Sequence, residues 1–259
     1  MPFPVSASSI CWPRSPSWPT CSAAGARGPG YPRNLLTLCL ITDRRRLLAA
    51  LDLPASAWAE VLLAQLEGAI AGGIDVVQIR ESEIPARDLT SLVRRCVAAG
   101  AQSRARIIVN DRIDVALSAN AHGVHLREDS IAISEARRLS RKEFFVGRTV
   151  HSAATAARAR TADYLITGSV FETESKPGQP ASLGLNGLRD VVRAAGDCPV
   201  WALGGVHPDR ARDVVACGVR GVAAIGAFLP RVRTTAVAKE VQKVTEVLRF
   251  SFDSAVGLS

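Results

Sequence analysis

The chain has 259 residues, 47% of them hydrophobic, and a formal net charge of +8. That length can bury one large core, as a single α/β barrel or as two smaller domains, and no apolar run approaches the roughly 18 residues of a membrane span. Its lysines and arginines are scattered rather than bunched, which suits a solvated surface or an anionic small-molecule ligand better than a nucleic acid.

Residues 1–34 hold half of the chain's prolines and three arginines (Arg14, Arg27, Arg33), with no acid and no apolar periodicity. They read as a disordered leader or a mis-assigned start; a transit peptide is the alternative, which the prolines disfavour because they break an amphipathic helix. None of the six cysteines forms a C-x-x-C pair or stands at zinc spacing with a histidine, and Cys39, Cys96 and Cys217 fall inside apolar patterns. Free core thiols in a reducing cytoplasm are expected.

From residue 35 onward, short apolar β-branched runs alternate with helical patterns. LLTLCLIT (35–42) precedes a helix over SAWAEVLLAQLEGAIAGG, with Ser56 as its N-cap and Gly72-Gly73 as its stop. VVQIRE (76–81) precedes a helix opened by Pro85. RIIVND (106–111), GVHL (123–126), FFVGRTV (144–150), YLITGSVF (164–171), PVWALGG (199–205) and GVAAIGAFL (221–229) follow, each leading into a helical stretch. These eight runs are apolar on both faces, as buried parallel strands are. Eight βα units predict a TIM (β/α)8 barrel over 35–250, between the leader 1–34 and a short tail 251–259. A doubly wound sheet is the alternative, but strand one ends in Thr42-Asp43-Arg44 without a glycine fingerprint.

In such a barrel the active site lies at the C-terminal strand ends. There the sequence places Gln78, Arg80 and Glu81, then Asn110 and Asp111, His125, Thr149 and His151, a polar loop with Thr173, Ser175 and Lys176, Gly204-Gly205, and Gly226-Ala227. The glycines after the last two strands suit phosphate binding by backbone N–H groups, turn chemistry being the alternative. Arg80, read as lying within an apolar strand, requires an anionic partner, either a ligand or an acid such as Glu81 or Asp111. Lys176 is one of only four lysines and is either a ligand contact or a solvated loop residue. His125 reads as a satisfied interior histidine, and His122 and His207 as loop or cap residues. His151 stands beside Ser152, a plausible helix cap; it is either a proton carrier or a cap neighbour, and composition does not decide.

The ordered motifs QIRE, VNDRIDVAL, GVHL, GRTVHS, ADYLITGSVFETESKPG, ALGGV and GVAAIGAF resemble the thiamine phosphate synthase/TenI superfamily over roughly residues 35–230. That resemblance implies a TIM barrel and one of two chemistries. The synthase joins hydroxymethylpyrimidine diphosphate to thiazole phosphate, releases pyrophosphate and uses Mg²⁺. TenI aromatises a carboxythiazole phosphate and needs no metal. Synthase motifs normally carry a lysine where Ser82 stands, a metal-binding aspartate where Ser130 stands (Asp129 is one residue early), and PTxTK where Glu172-Thr173-Glu174-Ser175-Lys176 stands. Asn110 and Asp111 match the synthase, Asp111 as its remaining metal ligand.

GRxVHS and VFETxxKxG look more like TenI, so the resemblance implies a cytoplasmic tautomerase first, and second a synthase or a non-catalytic phosphate-ligand binder. His151 would then be the general acid/base, and Gln78, Arg80, Asn110, Thr149, Thr173, Ser175 and Lys176 substrate contacts. Gly204, Gly205, Gly226 and Ala227 would hold the phosphate. The implied partner is a small phosphorylated substrate, not nucleic acid or a membrane, and a homo-oligomer is compatible.

Overall fold

A computed structural model describes residues 36–172, 182–230 and 236–257; the leader expected over 1–34 lies outside them. Eight parallel strands close into a barrel in sequential order: β1 (Thr37–Ile41), β2 (Val76–Ile79), β3 (Arg106–Asn110), β4 (Gly123–Leu126), β5 (Phe145–Val150), β6 (Tyr164–Gly168), β7 (Val200–Leu203) and β8 (Gly221–Ala224). β8 returns to β1 through Thr37–Gly221 and Leu40–Ala224 pairing. Around them lie α1 (Arg44–Leu51), α2 (Trp58–Ala71), α3 (Ala86–Gly100), α4 (Ile113–Ser118), α5 (Ile133–Leu139), α6 (Ala153–Arg158), α7 (Gly184–Ala195), α8 (Ala211–Val215) and α9 (Val237–Val256). This is the TIM barrel expected, and no helix among the described residues is long and apolar enough to cross a membrane.

Three local expectations are corrected. A separate helix, α1, precedes α2; Asp43 caps it, accepting from Arg46 N at 3.1 Å, and Leu47 and Leu51 bury its inner face. Ser56 does not cap α2 but sits in a 3-10 turn over Ala55–Ala57, and α2 starts without a side-chain cap. The stretch 251–259 is not a tail through most of its length. Phe252 extends the buried face of Val241, Thr245 and Leu248, so α9 runs on to Val256 and ends at left-handed Gly257.

Strand side chains alternate between two cores. Outward residues such as Val77, Ile79, Val109 and Val124 pack against the helices, while Cys39, Ile41, Val76, Ile108, Phe145, Tyr164, Ile166, Trp201 and Ala223 fill the barrel axis. Tyr164 and Trp201 stack with centroids 3.8 Å apart. Gly147 makes room for them: a Cβ there would stand 2.1 Å from the Tyr164 ring. Truncating an aromatic in such a core typically costs about 3–5 kcal/mol.

The N-terminal end is closed by ion pairs. Asp75, just before β2, accepts from Leu38 N at 2.8 Å and pairs with Arg249 and with Arg104 at 3.4 Å. Asp163, just before β6, accepts from Val146 N and from Arg137, both at 2.7 Å. Cys39, Cys96 and Cys217 are buried free thiols, as their apolar context predicts.

Candidate active site at the C-terminal mouth

Gln78 and Asn110 face the axis from neighbouring strands, and Gln78 Nε2 donates to Asn110 Oδ1 at 2.9 Å. Gln78 Oε1 is buried and has no hydrogen-bond partner among the described residues. A buried acceptor without a partner costs on the order of 1–3 kcal/mol, so this oxygen is available to a ligand donor or to water.

Asp111 follows at φ 62°, a left-handed turn that aspartate tolerates better than most residues. Its backbone N–H donates to His125 O at 2.8 Å. Its carboxylate accepts from the Ser130 hydroxyl and lies 3.3 Å from Arg127 Nε. Arg127 also reaches Asp129 at 3.1 Å and so spans both acids. Ser130 therefore does not stand empty where the second synthase carboxylate is missing, but is bonded to the first.

His125 is fully interior. Nδ1 lies 3.2 Å from the Tyr164 hydroxyl and Nε2 2.8 Å from Thr149 Oγ1. Burial, reinforced by nearby Arg148, pushes its pKa down to about 3, so it is neutral in ordinary conditions. It is the satisfied interior histidine expected, and it engages the Thr149 hydroxyl that the sequence offered to substrate. His122 Nδ1 accepts from Ile107 N at 3.0 Å.

His151 is exposed just past β5. Its Nδ1 lies 3.1 Å from Gly168 O. A carbonyl only accepts, so Nδ1 is the donor in this contact. Ser152, not His151, caps α6, through a reciprocal capping box with Thr155. The backbone N–H of His151 donates to Thr155 Oγ1 at 3.2 Å, which ties the histidine to that cap.

Arg80 departs from expectation. It lies past the end of β2 and is exposed, while its backbone N donates to Thr42 Oγ1 at 2.9 Å. Neither Glu81 nor Asp111 pairs with it. Glu81 instead accepts from Arg44 N at 3.0 Å and faces the Arg44 guanidinium at 3.8 Å, with its pKa raised by burial.

On the far side of the mouth, Gly204 and Gly205 are both left-handed, at φ 94° and 63°. A Cβ on Gly205 would stand 2.7 Å from Phe171 Cβ, so no other residue fits. Arg210 donates to Gly205 O at 3.0 Å and lies over the Phe171 ring at 4.3 Å, fixing the turn. Gly226 and Ala227 open a 3-10 turn whose internal bonds begin with Phe228 N to Ile225 O, leaving the earlier N–H groups without an intrahelical acceptor. Thr173, Ser175 and Lys176 lie outside the described residues.

The sequence reading missed Arg127, just past the end of β4, and Arg46, hidden in an undetected helix. The signal for Arg46 was present: Asp43 followed by helix formers is an N-cap pattern.

A family model described as thiamine monophosphate synthase matches residues 40–228. The thiamine-phosphate synthase of Moorella thermoacetica is 38% identical over 181 residues, 69% of this chain and 86% of the relative. That of Methanoculleus marisnigri is 39% identical over 176 residues, 67% and 83%. Among solved structures, thiamine phosphate pyrophosphorylase from Pyrococcus furiosus superposes with a TM-score of 0.69 at 33% identity, covering 86% of this chain and 98% of that one. These names favour the transferase, which the sequence reading ranked second, over the tautomerase it ranked first.

Proposed function

The chain belongs to the thiamine monophosphate synthase family, and we propose that within it the protein is a transferase of thiamine biosynthesis, joining hydroxymethylpyrimidine diphosphate to thiazole phosphate with release of pyrophosphate. The observation that carries this reading is the 38–39% identity to thiamine-phosphate synthases across most of the barrel. The gathering of Gln78, Asn110 and Asp111 at one side of the mouth supports it.

This reading implies Mg²⁺. Among the described residues no group of three acids, histidines or cysteines is arranged to hold a metal. The Asp111 carboxylate, with the Ser130 hydroxyl bonded to it, nevertheless suits an ion that takes one or two carboxylates and completes its shell with water and substrate phosphate. When bound, the ion would offset the charge developing on the departing pyrophosphate. Arg127 would have to release Asp111; its side chain is 58% exposed, so that pair contributes only about 0–1 kcal/mol. Arg80 adds positive charge on the same side, Gln78 Oε1 accepts a ligand donor, and Gly204-Gly205 and Gly226-Ala227 receive the thiazole phosphate opposite.

A second reading, the tautomerase, is favoured by one specific arrangement. Arg127 and Ser130 already engage the Asp111 carboxylate, while His151 stands exposed past the end of β5 with its Nδ1 held by Gly168 O. In that reaction His151 takes a proton from one ring carbon and returns one to another. General acid–base catalysis of this kind is worth about 10²–10⁴-fold, so His151→Asn would lose that much in kcat while product binding stays within a few-fold.

Both substrate sets should be assayed with Mg²⁺ and with EDTA. The expected result is pyrophosphate release that needs Mg²⁺. Aromatisation of the carboxythiazole phosphate in EDTA, without pyrophosphate release from the other pair, would reverse the ranking. Ligand-dependent thermal stabilisation without turnover of either set would leave only a binding protein.

A further inference from the structure

Three consecutive arginines open α1, and they are not equivalent. Arg44 faces Glu81 and Glu83, each at 3.8 Å, and Arg45 pairs with Glu83. Arg46 is half-buried, and no carboxylate partners its guanidinium among the described residues; only its backbone N–H is engaged, by Asp43. Because β8 pairs with β1, the start of α1 lies beside the end of β8. A methyl group built on Gly226 would meet Arg46 Nη2 at 3.3 Å and Nη1 at 3.9 Å. The two nitrogens of the guanidinium fork therefore lie against the face of the Gly226 backbone.

We propose that Arg46 is a side-chain ligand for the phosphate of the substrate, closing over the Gly226 turn. This rests on the reading that the mouth binds a thiazole phosphate. A partly buried guanidinium without a counter-ion is desolvated without compensation. A phosphate monoester offers it oxygens in the spacing its fork matches, in charge-assisted bonds about twice as strong as neutral ones. A side chain at position 226 would narrow the space between fork and backbone, its Cβ alone standing 3.3 Å from Nη2. The neighbouring turn differs in kind. Arg210 is committed to Gly205 O and the Phe171 ring and shapes its turn, whereas Arg46 is left for the ligand. Recognition of the phosphorylated over the unphosphorylated thiazole would then depend on α1.

Calorimetric titrations of thiazole phosphate, the unphosphorylated thiazole alcohol and inorganic phosphate test this in the wild type and in Arg46→Ala, Arg46→Lys and Arg45→Ala, each checked for an unchanged melting temperature. The expected result is that Arg46→Ala loses about 10-fold or more in preference for the phosphate over the alcohol. Arg46→Lys should recover part of it, and Arg45→Ala should behave as wild type. An unchanged preference in folded Arg46→Ala, with thiazole phosphate still bound, would overturn the inference and leave the functional reading standing. Arg46-dependent binding of inorganic phosphate by a protein that ignores the thiazole would do the reverse. If the wild type binds neither, both fall.

Discussion

At the N-terminal end of the barrel, Asp75 and Asp163 are buried just before β2 and β6, and each is answered by arginine and by a strand N–H. At the C-terminal end, Arg46 and Arg80 stand at the mouth, and no carboxylate pairs with them among the described residues. The same residue type does opposite work at the two ends. Charge matched internally holds strands and helices in register and has nothing left for a ligand. Charge left unmatched beside glycine turns adds little to the fold and is available to an anion. A basic chain therefore need not be basic everywhere that matters: the excess counts where counter-ions are missing.

The hardest way to break this contrast is Asp75→Ala. The carboxylate is 2% exposed; Arg249 would keep Asp253 at 3.6 Å and the Leu36 and Gly73 carbonyls, so the loss falls on the broken pair and on the Leu38 N–H left without its acceptor and should cost about 3 kcal/mol. Urea denaturation should show that loss while the folded fraction keeps its ligand affinity. A loss of similar size from Arg46→Ala would erase the distinction between the ends.

Acid should act on buried groups with opposite signs, His122 (pushed down to about 4 by burial) and His125 in one sense and Asp163 in the other. The His125 pKa is pushed down to about 3 in the fold, against 6.5 when unfolded. Below pH 6.5 the unfolded chain takes up a proton that the folded one refuses, so this stability is fully present above 6.5 and is lost as pH falls toward 3. Asp163 is raised, by burial first and against the pull of Arg137. Its contribution therefore grows as pH falls through its folded value. Between pH 7 and pH 5 His125 alone should account for about 2 kcal/mol of lost stability. His125→Gln, which can still bond Thr149, should flatten the curve by that amount. A curve unchanged by the substitution would mean that the imidazole is protonated in place.

The smallest effect sharpens the boundary between the two sets. Arg127→Ala removes an exposed pair at the mouth and should alter stability by less than about 1 kcal/mol. Mg²⁺ titrated in the presence of pyrophosphate should bind it about 3–5-fold more tightly, since a competing cation is gone. Weaker binding would show that Arg127 belongs with the cations that receive the diphosphate.

The barrel was legible because its signal is redundant: eight apolar runs, each followed by a helix pattern, remain recognisable when single boundaries are wrong. Ser56 misled because a capping residue five positions past a short helix looks like the start of the next; the arginine-rich opening of α1 hid that helix. Arg80 was misplaced because strand length is fixed by ladder pairing, and β2 stops at Ile79. Gln78, Asn110 and the glycine turns could be placed from strand ends alone. Arg127 and Arg46 could not, because their meaning lies in what does or does not face them from other elements. Relatives, rather than residue chemistry, moved the transferase ahead of the tautomerase.

The Tyr164–Trp201 stack has a further consequence for traffic. With those rings face to face across the axis, and Phe145 beside them, the vessel has one door. Whatever enters at the mouth must leave by it, and under the proposed two-substrate transfer both reactants and both products would share that opening.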